Sequence, residues 1–160
     1  MKQELLKELK EKFETCKKEL GFKATFEELD EIFYIKDSVL DIGFVSESFS
    51  RQLCSRIVDS YMNWNNYLHS LIMPNPQSMI NMHESKMISE DNMRKDIIKL
   101  ITQTMAFVST NTKIGLIKDK KEEADFIDES VKFWNKTFKL KVLKIIEKIV
   151  GDWKKDAEKD

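Results

Sequence analysis

Proline and glycine are scarce in this chain of 160 residues, which contains two prolines and four glycines. Both prolines lie in the segment 73–76, Met-Pro-Asn-Pro, and none occurs on either side of it. Because proline removes a backbone donor and interrupts helices, this distribution is typical of long helices joined at one sharp corner. It predicts an all-α protein.

The sequence also has little cysteine and no long apolar run. Cys16 and Cys54 lack a CxxC or Cys/His spacing, which argues against both a disulfide framework and a zinc site. No stretch approaches the roughly 18 apolar residues of a bilayer-spanning helix, and residues 1–7 mix both charge signs, unlike a signal peptide. We therefore expect a cytoplasmic protein without membrane association.

Apolar residues recur at spacings of three and four along most of the chain, which is the pattern of helices that bury one side. A first helix is predicted to end at Gly21. A second should begin at a capping box formed by Thr25 and Glu28 and stop near Gly43. A third helix is expected over about residues 47–73.

Beyond the prolines the pattern predicts a short helix over about residues 77–88 and another that begins at Ser89. The polar run 109–112, Ser-Thr-Asn-Thr, is expected to break this helix. Residues 112–118 are interpreted as a strand-like loop, although a strand or a helix also fits their composition. A last helix is predicted from a cap at Asp119.

Together these elements predict a single domain spanning residues 1–160. Its fold would be an antiparallel bundle of four long helices, with one short helix after Pro74 and Pro76. A chain of this length buries enough apolar surface to fold without disulfides or metals.

A line of polar residues borders the apolar side of the third helix, and two further polar residues interrupt the seam of a later one. These residues are Arg56, Ser60, Asn63, Tyr67, Thr104 and Asn111. If the two seams face each other, the polar groups must bind one another, water or a ligand. We predict a site for a small anionic ligand here, with Arg56 as its charge partner. A structural network or a solvent-exposed edge is the alternative.

Two pairs of carboxylates have the i, i+3 spacing that places both members on one helix face. They are Glu28 with Glu31 and Glu122 with Asp125. A magnesium-dependent all-α nucleotide hydrolase would use such pairs. Both clusters also lie at the starts of helices, where acids satisfy the helix dipole, and this interpretation needs no further assumption. We therefore predict no metal site and no cofactor.

The two histidines allow one cysteine–histidine pair that the sequence leaves open, Cys16 with His83, although a buried structural cysteine is the favoured interpretation of Cys16. Cys54 and His69 would be about 22 Å apart on one helix at about 1.5 Å per residue, which is too far for a nucleophile and its base. We predict no catalytic residue and favour a non-enzymatic role.

The last helix carries a second apolar stripe, separate from the one that docks it on its own bundle. Phe126, Phe133 and Leu140 are each seven residues apart and would remain exposed unless a second subunit covers them. The short helix after the prolines adds Met79 and Met82, whose flexible side chains suit an adaptable binding face, although they equally suit an ordinary core beneath a lid over the bundle. We predict that these five residues form protein interfaces and that the protein is a homodimer.

Charge is segregated along the chain, although the formal net charge is only −1. Residues 26–47 contain seven acids and one lysine, whereas residues 131–155 contain eight lysines and two acids. These lysines could offer a basic strip to nucleic acid. They lie on two sides of the helix without interleaved arginine, so a solvated face is favoured.

The leading functional hypothesis from the sequence is a non-enzymatic helical interaction or assembly module that associates with itself. One alternative is a small-ligand or nucleotide-handling protein that uses Arg56 or the paired carboxylates. Another is a nucleic-acid accessory protein that uses the C-terminal lysines.

Overall fold

Residues 1–159 are described by a computed structural model, and every regular element in this range is helical, which confirms the all-α prediction. The elements in chain order are α1 (Lys2–Leu20), α2 (Phe26–Phe33), α3 (Ile35–Ile42), α4 (Phe49–Ile72), α5 (Met79–Met87), α6 (Asp91–Ile117), α7 (Lys120–Phe133), a π-helical segment (Trp134–Phe138) and α8 (Lys139–Ala157).

Local signals in the sequence set several helix ends as expected. Gly21 and Gly43 both adopt the left-handed conformation, with φ of 83°, directly after α1 and α3. The capping box is also confirmed, because the backbone N–H of Glu28 donates to Thr25 Oγ1 at 3.1 Å. In return the backbone N–H of Thr25 donates to the Glu28 carboxylate at 2.9 Å. The short helix after the prolines is confirmed as α5.

The predicted second helix is divided in two at Tyr34. This residue adopts a left-handed conformation with φ of 55°, which ends α2 and precedes α3. The carboxylate of Asp30 accepts a hydrogen bond from the backbone N–H of Lys36 at 2.8 Å, which satisfies a free donor at the start of α3. Tyrosine rarely takes this conformation, so the residue type gave no sign of the break.

The expected break at residues 109–112 is wrong, because α6 continues through them to Ile117. The hydroxyls of Thr110 and Thr112 donate to the carbonyl oxygens four residues earlier, at 2.8 and 3.2 Å. Such bonds let threonine remain inside a helix without an unsatisfied donor. The segment 112–117 is therefore helical, not strand-like.

Helix α4 lies against both α6 and α7, and the pairing residues give the directions. Arg51 bonds to Asn111 and Arg94 bonds to Ile72, so α4 and α6 are antiparallel. Arg51 contacts Glu123, and Tyr61, which comes later in α4, contacts Ser130, which comes later in α7. Helices α4 and α7 are therefore parallel. The structure thus has four long helical stretches and three short helices, and its long helices are not all antiparallel.

The buried apolar side chains form a core to which every α-helix contributes. Among residues 1–159, no helix combines the length and apolar character needed to cross a bilayer.

Candidate functional site

Arg56, the predicted charge partner of an anionic ligand, binds the end of a helix. Its Nε donates to the carbonyl oxygen of Phe33 at 2.6 Å, at the turn that ends α2. Further along the same line of α4, Ser60 and Tyr67 are half-buried and Asn63 is exposed. Arg56 therefore anchors α2 on α4.

The two predicted polar residues of α6 have separate partners. Thr104 is buried, and its hydroxyl donates to the carbonyl oxygen of Leu100 at 2.7 Å. Asn111 is half-buried and accepts a hydrogen bond from the guanidinium of Arg51, at 2.7 Å to Oδ1. Neither residue bonds to Arg56. Of the six predicted ligand-site residues, Arg56 and Asn111 thus join α4 to α2 and α6, whereas Thr104 bonds within α6.

Arg51 is the centre of a polar network that the sequence analysis missed. Besides Asn111, its guanidinium binds the carboxylate of Glu123 at 2.8 Å, and Glu123 is buried. A buried carboxylate needs a charged partner, so the pair of Arg51 and Glu123 ties α4 to α7. The bond of Arg51 to Asn111 ties α4 to α6 at the same end of the molecule. The rarity of arginine was the only feature of the sequence that distinguished Arg51, because Arg51 does not share the polar line that begins at Arg56 on α4.

The carboxylate clusters also serve the fold. Glu28 completes the capping box of α2. Asp128 accepts hydrogen bonds from the successive backbone N–H groups of Lys23 and Ala24, at 2.9 and 2.8 Å, which holds the α1–α2 loop on α7. Within residues 1–159, no group of three or more histidine, cysteine or carboxylate side chains is arranged to hold a metal ion.

Both cysteines are buried thiols. Burial is the main cause that raises the pKa of Cys16 to about 11, and the nearby carboxylates of Glu123 and Glu19 add to it. Burial raises the pKa of Cys54 further. A thiol must ionise to act as a nucleophile, so neither side chain is activated near neutral pH.

Two residues of the predicted interface stripe, Phe126 and Phe133, belong to the intramolecular core. Phe126 is 2% exposed. Phe133 is half-buried, with its ring centroid 5.1 Å from that of Phe107 and 5.8 Å from that of Tyr61. The physical reason is the packing of α6 against α7, which places the ring of Phe107 over both Phe126 and Phe133.

Leu140, the third residue of that stripe, lies apart from the other two. The π segment Trp134–Phe138 inserts an extra residue into the helical turn, so the seven-residue spacing from Phe133 to Leu140 does not keep one face. Leu140 is 56% exposed. Of the predicted stripe, only this residue remains open to a partner.

Leu140 begins a different exposed line on α8. Leu143, Glu147 and Val150 follow it at spacings of three, four and three, so the four residues share one side of the helix. We call this line the outer stripe. Leu143 and Val150 are 49% and 44% exposed, whereas the opposite side of α8 is buried. The outer stripe is therefore not needed to dock α8 on its own protein.

The methionines of α5 differ in exposure. Met79 is 82% exposed and Met82 is half-buried. Met73 and Ile80 are also exposed, so the corner after α4 presents a second apolar surface.

Two polar contacts hold α5 on the end of α8. His83 Nε2 lies 2.7 Å from Asp156 Oδ2, and the indole N–H of Trp153 donates to the carboxylate of Glu84 at 2.8 Å. The hydrogen bond from His83 is the main cause that lowers the pKa of Asp156, and Lys159 adds to it. These contacts place α5 as a cover over the C-terminal ends of α4 and α8.

Comparison of the chain with protein-family models, with curated proteins and with solved structures gives no match. The functional argument therefore depends on the chain's own surface.

Proposed function

We propose that this protein is a non-enzymatic helical interaction module that associates with itself through the outer stripe of α8. The observation that carries the proposal is the exposure of Leu140, Leu143 and Val150 on one side of a single helix. Grouped aliphatic side chains at a surface are typical of protein interfaces. Completing the burial of each contributes about 1 kcal/mol, roughly half the value for a fully exposed side chain.

The side of α8 that faces the core supports the same conclusion. Val142, Ile145 and Ile149 are buried and already dock the helix. The outer stripe adds nothing to this packing. A partner helix would gain from covering it, and a second copy of the chain is a partner that is always present.

The test is a double substitution in the outer stripe, Leu140→Glu with Leu143→Glu. We expect the average mass of the wild type to rise above that of a monomer with concentration in light scattering. The variant should stay monomeric with unchanged circular dichroism, because both residues are about half exposed. Ile98→Glu on α6 is the matched control, since Ile98 is 50% exposed and lies outside the stripe.

Phe133→Glu separates this proposal from an interface on the originally predicted stripe. A charge placed among the rings of Tyr61, Phe107 and Phe138 should strongly destabilise the protein, because it replaces aromatic packing with a carboxylate beside three rings. A wild type that stays monomeric at the highest attainable concentration would contradict the proposal, as would a double variant that associates like the wild type.

A further inference from the structure

Another exposed apolar surface lies on α3, and its charge is opposite to that beside the outer stripe of α8. Asp37 and Asp41 are four residues apart, on the side of α3 away from the buried Ile35 and Val39. Tyr34 directly precedes the helix and is 58% exposed. The exposed Ile42 and Phe44 follow at the end of the helix. We call the surface formed by Tyr34, Asp37, Asp41, Ile42 and Phe44 the acidic face.

The outer stripe of α8 has lysines beside it. Lys139 and Lys144 precede and follow its two leucines and are exposed. Neither lysine forms an ion pair within the part of the chain that the structure describes, and the same holds for Asp37 and Asp41. Glu147 is the one acid of the stripe. Both surfaces thus combine exposed apolar side chains with unpaired charge, of opposite sign.

The two surfaces also match in length. Ten residues separate Leu140 from Val150, which is about 15 Å along a helix. The acidic face follows α3, whose eight residues span about 12 Å on the same rise. Each surface can therefore cover most of the other in a single helix-on-helix contact.

One molecule cannot bring its own two surfaces together, because they lie at different ends of α4. The start of α3 is fixed near Arg56 by the bond to Phe33, and the chain then returns to the start of α4. The start of α8 follows Phe138, whose ring lies 6.2 Å from that of Trp64, and α8 continues toward α5. The two surfaces must therefore pair between molecules.

On this basis we infer that the partner covering the outer stripe is the acidic face of a second copy of this chain. The inference rests on the proposed function and specifies its partner surface. The inferred arrangement is heterologous: each molecule offers the outer stripe to one neighbour and the acidic face to another, so each added molecule leaves one surface of each kind free. The product is a head-to-tail chain of subunits, or a ring where the rotation closes, and it exceeds a dimer. Opposite charges make its assembly sensitive to salt.

The decisive experiment exchanges the charges of the two surfaces in separate variants. One carries Lys139→Glu with Lys144→Glu, and the other carries Asp37→Lys with Asp41→Lys. We expect each variant alone to need at least a tenfold higher concentration than the wild type for the same average mass in analytical ultracentrifugation. An equimolar mixture of the two variants should recover wild-type assembly. The new glutamates beside the outer stripe of one variant then face the new lysines on the α3 surface of the other, and the two unchanged surfaces also match. A thermal melt of each variant reports that it is folded.

Lys95→Glu with Lys99→Glu is the matched control, since both lysines are exposed on α6 and the change in net charge is the same. It should assemble like the wild type at low salt. At about 0.5 M salt, wild-type assembly should weaken to the level of the single-surface variants.

The outcomes separate this inference from the proposed function. Average masses that exceed a dimer, together with recovery in the mixture, support the inference. A wild type that reaches the mass of a dimer and goes no further, or a mixture without recovery, overturns it while leaving self-association intact. A wild type that remains monomeric overturns both.

Discussion

Among single residues, Tyr61 lies in the middle of a buried aromatic cluster. It is fully buried, and the rings of Phe33, Phe107 and Phe138 lie 5.4 to 5.7 Å from its own. A hydroxyl in this apolar site needs a partner, and it donates to the carbonyl oxygen of Ser130 at 2.6 Å. That carbonyl belongs to the last turn before the π segment. The Tyr61 hydroxyl thus binds a helical carbonyl oxygen next to the point where the backbone hydrogen bonds change from the α-helical to the π-helical pattern.

Removing this hydroxyl should measurably lower stability. Tyr61→Phe keeps the ring packing and loses one buried hydrogen bond, so we expect the free energy of unfolding to fall by about 1 kcal/mol in urea titrations. Tyr67→Phe is the control, because Tyr67 is half-buried and its hydroxyl forms no hydrogen bond within residues 1–159. Its effect should be close to zero. Equal effects of the two substitutions would contradict this assignment.

At the scale of elements, two left-handed residues bound α3. Tyr34 precedes it with φ of 55° and Gly43 follows it with φ of 83°. Glycine adopts this conformation freely, whereas a residue with a Cβ is strained in it. A Cβ built at Gly43 would meet nothing within 4 Å, so the demand for glycine there comes from the backbone conformation alone.

Substitutions at these two positions should therefore change stability in opposite directions. Tyr34→Gly relieves backbone strain at an exposed site, and we expect a gain of about 0.5 to 1 kcal/mol after the entropy of glycine in the unfolded chain is included. Gly43→Ala should cost about 1 kcal/mol. Thermal melts of dilute protein measure both. A loss of stability in Tyr34→Gly would show that the tyrosine ring contributes packing that outweighs the strain.

At the scale of the whole molecule, α5 closes one end of the structure. Its outer side is exposed at Met79, while Met87 is buried. Ser85 Oγ donates to the carbonyl oxygen of Leu71 at 2.7 Å, which fixes α5 on α4. The contacts of His83 and Glu84 with α8 fix it on the other side.

The contact with Asp156 makes this closure depend on pH. The pKa of Asp156 is lowered from its ordinary value of 3.8, mainly by the hydrogen bond from His83. A carboxylate with a lowered pKa stabilises the folded state above its unfolded-state pKa, and this contribution is lost as the pH falls through the folded-state value. Asp156→Asn should therefore lower stability at pH 6, and the difference from the wild type should shrink as the pH falls from about 4 to below the folded-state pKa.

Urea titrations at a series of pH values measure this difference. Asp125→Asn serves as the control, since Asp125 is exposed and its carboxylate forms no hydrogen bond or ion pair with any residue from 1 to 159. A difference for Asp156→Asn that stays constant down to the lowest pH would show that the carboxylate charge is not responsible.

The amino-acid sequence by itself determined the helical class and those helix ends that depend on neighbouring residues. The scarcity of proline predicted long helices, and the positions of Gly21 and Gly43 predicted two of their ends. The capping box of Thr25 and Glu28 was readable because its partners are three residues apart. Each of these signals acts within one or two turns, so no tertiary contact is needed to interpret it.

Only the tertiary structure decided which residues are free to bind. Phe126 and Phe133 are covered because Phe107 of α6 packs against both rings, and Leu140 is separated from them by the π segment. The partners of Tyr61 and Arg51 lie 69 and 72 residues away along the chain. Periodicity within one helix shows which residues share a side, but burial depends on the neighbour that covers that side. Long-range packing therefore decided the candidate site.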